Sequence, residues 1–215
     1  MRWSGRGILW AAALAALAAG AVWAGRAVLT RGYTGEDFDI PAYQSAHDED
    51  GDGVDDQTDV LRGAKAYVAT RPKYESRYYD GGYPDDGYGV CTDVVAQALR
   101  AAGYDLRALV DEDIRANPSA YGISRPDANI DFRRVTNLDV YFRRTALSLT
   151  TDVTDIAQWQ GGDIVVFPHH IGIVSDRRGR DGVPYVIHHA YPGQRQYEQA
   201  ILDGQYGVIG HYRVS

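Results

Sequence analysis

The chain contains one cysteine, Cys91, among 215 residues. A single thiol excludes an intrachain disulfide and a cysteine-based zinc cluster. Basic residues are in the minority, with 22 Lys and Arg against 29 Asp and Glu and a formal net charge of −7. No basic stripe runs along the sequence, so nucleic acid is not an expected partner. Phe is scarce at 4 and Tyr, at 16, carries most of the aromatic content. That balance suits an amphipathic cleft or a wet surface and names no ligand. No internal repeat is present. Apolar residues still make up 45%, enough for the core of one domain behind a leader.

Only one long uncharged run occurs. Arg2 and Arg6 precede GILWAAALAALAAGAVWAG, Gly7 to Gly25, and Arg26 closes it. The run is at the short end for a membrane span and longer than the apolar core of a usual signal peptide. The leading positive charges place the N-terminus inside and the rest of the chain outside the cell. Residues 1–29 are therefore expected to be a membrane anchor or signal segment. The poor cleavage site at Val22-Trp23-Ala24 favours an uncleaved anchor over secretion.

Residues 30–57 are expected to be a linker ending in the acidic run HDEDGDGVDDQTD. Asp48, Asp50 and Asp52 alternate, Gly53 follows, and Asp59 stands six residues beyond it, which fits a calcium loop with Asp in place of the final Glu. Alternate carboxylates converge on one hard cation, Gly53 permits the turn, the Val54 carbonyl is a ligand, and Asp56 acts through water. A structural Ca²⁺ is the expected cofactor, and no organic cofactor is implied. The competing reading is a solvated acidic linker.

The remainder, 58–215, reads as one domain. Thr58 or Asp59 can cap a helix bearing Val60, Leu61, Ala64, Tyr67 and Val68. After the loop YYDGGYPDDGYG a second helix starts near Cys91, with Val94, Val95, Ala98, Leu99 and Ala102 on one face and Gly103 as its stop. A short helix is expected around 106–116, and another capped by Asn137. Strands follow at 163–167, 170–175, 184–189 and 208–214. Helices first and an antiparallel meander last make an α+β plan.

A cysteine at a helix start feels the partial positive charge of that end, which favours thiolate. GGDIVVFPHHIGIVSD and VPYVIHHA then supply paired histidines on successive strands, which can provide a base and an orienting partner. The segment YYDGGYPDDGYGVCTDVVAQALRAAGYDL resembles the nucleophile region of NlpC-type, papain-like cell-wall peptidases. GGDIVVF, HIGIVSD and VIHHA resemble their Gly-Asp strand, catalytic-His strand and third-polar-residue strand. GVCTDVV, LVDEDI, RPDANIDFRRVTNL, GGDIVVF, HIGIVSD and GHYR together resemble the domain-of-unknown-function 1287 family, over about residues 58 to 213.

The resemblance implies a papain-like fold with N-terminal helices packed on a C-terminal antiparallel sheet. It implies Cys91 as nucleophile, His170 as base and His188 as orienter, with His189 competing for the third role. It also implies Tyr79, or else Tyr78, at a substrate cleft. Thr92-Asp93 departs from the Ser-Gly that commonly follows the cysteine. Asp93 would oppose a thiolate unless it binds Arg133 or Arg134. Cys91 and His170 are expected to form a thiolate–imidazolium pair near neutral pH. The function so implied is an extracytoplasmic cysteine amidase or peptidase acting on a cell-envelope substrate such as peptidoglycan peptide. The alternatives are an envelope acyl or ester hydrolase or acyltransferase, and a calcium-dependent binding protein that has lost catalysis.

Overall fold

The computed structural model describes residues 32–202 and 207–214. The expected anchor at Gly7–Gly25 lies outside them. No helix among the described residues is long and apolar enough to cross a membrane. The chain from Tyr33 onward forms one compact unit, and residues 33–57 of the expected linker belong to it. Tyr33 bridges to Arg178, Ile40 is buried, and the Tyr43 amide donates to Gln160 at 3.2 Å. An apolar side chain and two backbone anchors turn a polar stretch into a strap on the domain.

Among the described residues, five α-helices precede most of the sheet: α1 Asp56–Ala69, α2 Cys91–Ala101, α3 Leu106–Ala116, the single turn α4 Pro118–Tyr121, and α5 Val135–Thr145. The cap of α1 is Asp55, whose carboxylate accepts from the Thr58 amide, so the helix starts before the expected Thr58. Asn137, expected as a cap, lies inside the first turn of α5, where its Nδ2 donates to the Asp131 carbonyl at 3.0 Å. Helix α2 buries Val94, Val95, Ala98 and Leu99 almost completely. Burial of this kind stabilises by roughly 1.5–3 kcal/mol for each larger side chain.

The strands are β1 Lys73–Tyr74, β2 Tyr88–Gly89, β3 Leu147–Ser148, β4 Ile164–Phe167, β5 His170–Arg178, β6 Pro184–Ile187, β7 Glu198–Gln199 and β8 Gly210–Arg213. β1 and β2 form a small parallel pair. The other six make one antiparallel sheet in the order β3-β8-β4-β5-β6-β7. This is a mixed α+β architecture. Side-chain alternation splits the sheet between two apolar clusters. Ile164, Val166, Ile171, Ile173 and Ile187 join the helices in the main core. Val165, Phe167, Val174 and Val186 pack with Trp159 and Leu202 on the other face. Burial on both faces explains why IVVF reads as an unbroken apolar run.

Asp163, at the entry of β4, ties three elements together. Arg213 grips its carboxylate through Nε at 2.7 Å and Nη2 at 2.8 Å, while His211 Nε2 lies 2.9 Å away and Gln57 of α1 donates at 2.9 Å. Burial acts to raise the Asp163 pKa, but these hydrogen bonds and charges outweigh it and hold the carboxyl below its ordinary value.

Candidate functional site

Cys91 is the first residue of α2, and its side chain is buried in the main core. The turn before it is tight. A Cβ on Gly89 would stand 2.1 Å from the Tyr67 hydroxyl, so only glycine lets the loop pass into the helix there. Asp93 closes the helix start by accepting the Val90 amide at 2.8 Å. The same carboxylate is clamped by Arg133, with Nε to Oδ1 at 2.7 Å and Nη2 to Oδ2 at 2.8 Å, both side chains being almost wholly buried. Arg133 also donates to the Arg77 carbonyl. Arg134, the other candidate, is mostly exposed and lies 3.6 Å from Asp131.

Burial dominates the electrostatics of the thiol. It pushes Cys91 up to about 11, and the Asp93 charge adds to the rise, while the backbone amides of Ile171, Thr92 and Cys91 itself pull the other way. Desolvation thus outweighs the favourable helix end. Ile171 directly follows His170, so the sulfur rests against the backbone beside the expected base. Tyr74 is the nearby phenol. Its pKa is raised by burial and by the Cys91 charge.

His170 opens β5 and pairs across the hairpin with Phe167. Its Nε2 lies 2.9 Å from His188 Nδ1, and the two rings are nearly perpendicular. His188 Nε2 is in turn 3.2 Å from Gln199 Oε1. Burial drives both imidazoles down to about 4. The His188 charge adds to the depression of His170, and the Gln199 hydrogen bond opposes that of His188. At neutral pH burial therefore favours thiol and imidazole over the expected thiolate–imidazolium pair. Among the hydrogen bonds of the described residues, none joins Cys91 Sγ to His170.

Register separates the two candidates for the third position. His188 partners His170. His189 sits edge-on between Tyr74 and Tyr197, each ring 5.2 Å away, with its Nδ1 buried and unpartnered. His169 is exposed in the β4–β5 turn. Tyr79 is tied to the helix start through Arg133, whose guanidinium lies 5.1 Å from its ring, and its hydroxyl donates to Asp86 at 3.0 Å. Tyr78 points to Asp127 instead, at 3.2 Å. Tyr74 and Gln199 were not legible as site residues. Both stand on two-residue strands without a motif, and only strand pairing brings them in.

The acidic loop divides. Carboxylate oxygens of Asp48, Asp50 and Asp52 lie within 4.8 Å of one another. Asp48 accepts the Gly51, Asp52 and Gly53 amides, wrapping the loop round its own carboxylate. Gly53 has φ +91°, which only glycine adopts without strain. Val54 donates its amide to Asp52 Oδ1 at 2.8 Å. Asp59, one turn into α1, has its pKa raised by burial and then by the charges of Asp52 and Asp50, but the group of three does not include it. Nor does it include Asp56, which is buried and turned inward, accepting from the Glu49 amide at 2.8 Å and from the Tyr104 hydroxyl. At the first position of α1 its side chain is committed to holding the loop against the α2–α3 turn rather than to a metal.

A family model described as "Domain of unknown function (DUF1287)" matches residues 61–214. The sequence is also similar to "Uncharacterized protein YijF" of Escherichia coli (strain K12), 40% identical over 167 residues, which cover 72% of this chain and 80% of the relative. No solved structure matches.

Proposed function

We propose that this chain, which belongs to the domain-of-unknown-function 1287 family, is a papain-like cysteine hydrolase of the cell envelope that cleaves an amide bond. One observation carries the reading. The Cys91 sulfur lies at a helix start against the amide that follows His170, and His170 heads a relay through His188 to Gln199. In the proposed reaction His170 takes the thiol proton as Cys91 Sγ bonds to the substrate carbonyl carbon. The carbonyl electron pair moves to oxygen, with the Cys91 backbone amide as a donor to it. Collapse of that adduct breaks the C–N bond, and His170 returns the proton to the leaving amine. Water then attacks the thioester, giving up a proton to His170, and releases the acid and the thiol.

The envelope assignment rests on the Gly7–Gly25 run behind Arg2 and Arg6. Peptidoglycan peptide is the proposed substrate class, from the resemblance at Cys91, His170 and Tyr79. The test is incubation of purified cell-wall fragments with wild type and Cys91→Ala, followed by mass spectrometry for new termini. Cleavage by wild type alone is expected. Equal, unchanged fragments in both arms would favour the non-catalytic binding reading, which the burial of Cys91 also favours.

Calcium belongs to the same proposal, with Asp48, Asp50, Asp52 and Asp59 as side-chain ligands and the Val54 carbonyl as a fifth. The ion would pin the strap to α1. Millimolar calcium should raise the melting temperature by mass action, and Asp50→Ala with Asp52→Ala should remove the rise. Asp56→Asn should keep the rise while lowering the calcium-free melting temperature, since Asp56 serves Tyr104 and Glu49. Identical melting curves with calcium and with chelator would leave only a solvated acidic loop.

A further inference from the structure

We infer that Gln199 sets the proton pattern of the histidine relay and so leaves His170 Nδ1 bare as the nitrogen that receives the thiol proton. The inference rests on the hydrolase reading and deepens it by adding a positioning residue. Gln199 Nε2 donates to the Gln196 carbonyl at 3.0 Å, which turns its Oε1 toward His188 Nε2 at 3.2 Å. A carbonyl oxygen only accepts, so the proton of His188 sits on Nε2. A neutral imidazole carries one proton, as donor on one nitrogen and lone pair on the other. His188 Nδ1 is therefore an acceptor, and the 2.9 Å contact to His170 Nε2 puts the His170 proton on that Nε2. The remaining nitrogen, Nδ1, holds a lone pair.

Burial keeps both rings in the neutral form on which this assignment depends. The backbone holds the spacing. Gln199 pairs with Val186 on the neighbouring strand, and the His188 amide donates to the Tyr197 carbonyl at 2.9 Å. If Gln199 were apolar, the buried Nε2–H of His188 would lose its acceptor. An unmade buried hydrogen bond is costly, and His188 would shift its proton to Nδ1. That proton would face His170 Nε2, force the His170 proton onto Nδ1 and remove the lone pair that the hydrolase reading assigns to the thiol proton.

The test reads the second-order rate of Cys91 alkylation by iodoacetamide across pH in wild type, Gln199→Leu, Gln199→Glu and His170→Ala, with thermal melts as a folding control. Gln199→Leu should slow alkylation at neutral pH by about 10–100-fold, part of the roughly 10²–10⁴ that a positioned base contributes. Gln199→Glu accepts the same hydrogen bond and should retain the rate. Its charge also favours an imidazolium, so the acid limb of its profile should move to higher pH. Nitrogen-15 spectra of the wild-type imidazoles give a variant-free readout, in which His170 should show a protonated Nε2 and a bare Nδ1. A proton on His170 Nδ1, or a folded Gln199→Leu with the wild-type rate, overturns the inference. A His170→Ala rate equal to wild type overturns the hydrolase reading itself, whatever Gln199 does.

Discussion

Alkylation of Cys91 should proceed at a nearly constant rate from about pH 5 to about pH 9 in the wild type, and His170→Ala should abolish that plateau. The thiol is pushed up to about 11 and the His170 imidazole down to about 4, so between those values the proposed pair holds one proton. In the proposed route His170 takes the thiol proton in the reacting state itself, which therefore contains the same number of protons as the neutral pair. The rate of that route does not change with pH inside the window. Without His170 the thiolate can form only by losing its proton to solvent. At pH 7 a thiol near 11 is ionised in about one molecule in 10⁴. The His170→Ala rate at neutral pH should fall by about 100-fold, the lower end of the roughly 10²–10⁴ that a positioned base contributes, and climb about tenfold per pH unit. Rates followed by mass spectrometry of the Cys91 peptide decide the matter. A wild type that already climbs tenfold per unit would mean His170 does not share the thiol proton.

Arg133→Met should lower the melting temperature by roughly 6–20 °C, the equivalent of about 3–5 kcal/mol for a domain of this size. The cause is the Asp93 carboxylate, which Arg133 grips with two hydrogen bonds and which would be left charged and buried at the foot of α2. Replacing both partners by apolar residues, Asp93→Leu with Arg133→Met, should recover much of the loss, because the cost lies in the orphaned charge rather than in the absent attraction. Its size is measurable by calorimetry of the two variants. A single variant melting within about 2 °C of wild type would mean the pair is hydrated in solution. The same substitution bears on the thiol. Asp93 already raises the Cys91 pKa, and an unneutralised carboxylate would raise it further. Arg133 thus makes Thr92-Asp93 compatible with a nucleophile.

Local pattern determined a good deal of this protein by itself. The apolar spacing of Val94, Val95, Ala98 and Leu99 marks α2 over Cys91–Ala101, and the short helix expected around 106–116 is α3, Leu106–Ala116. The later Val- and Ile-rich runs form the central strands of the antiparallel sheet. The quoted motifs identify the family, which the match over residues 61–214 bears out. Alternating aspartates and Gly53 anticipate the loop turn. Such features arise within a few residues of one another, where side-chain periodicity and turn geometry act directly.

Four matters were decided only by tertiary structure. The register of β5, β6 and β7 makes His188, not His189, the partner of His170 and brings in Gln199. The approach of the segment before α5 to the foot of α2 selects Arg133 over Arg134 for Asp93. The proximity of Tyr104 draws Asp56 into the protein and away from the Asp48, Asp50 and Asp52 carboxylates. Burial turns Cys91 from the acidic thiol its helix position suggests into a basic one. Each depends on groups far apart in the chain or on the exclusion of water. A one-residue change of register reverses which side chain faces a partner, and desolvation is set by everything packed around a group, so neither is encoded in any short window of sequence.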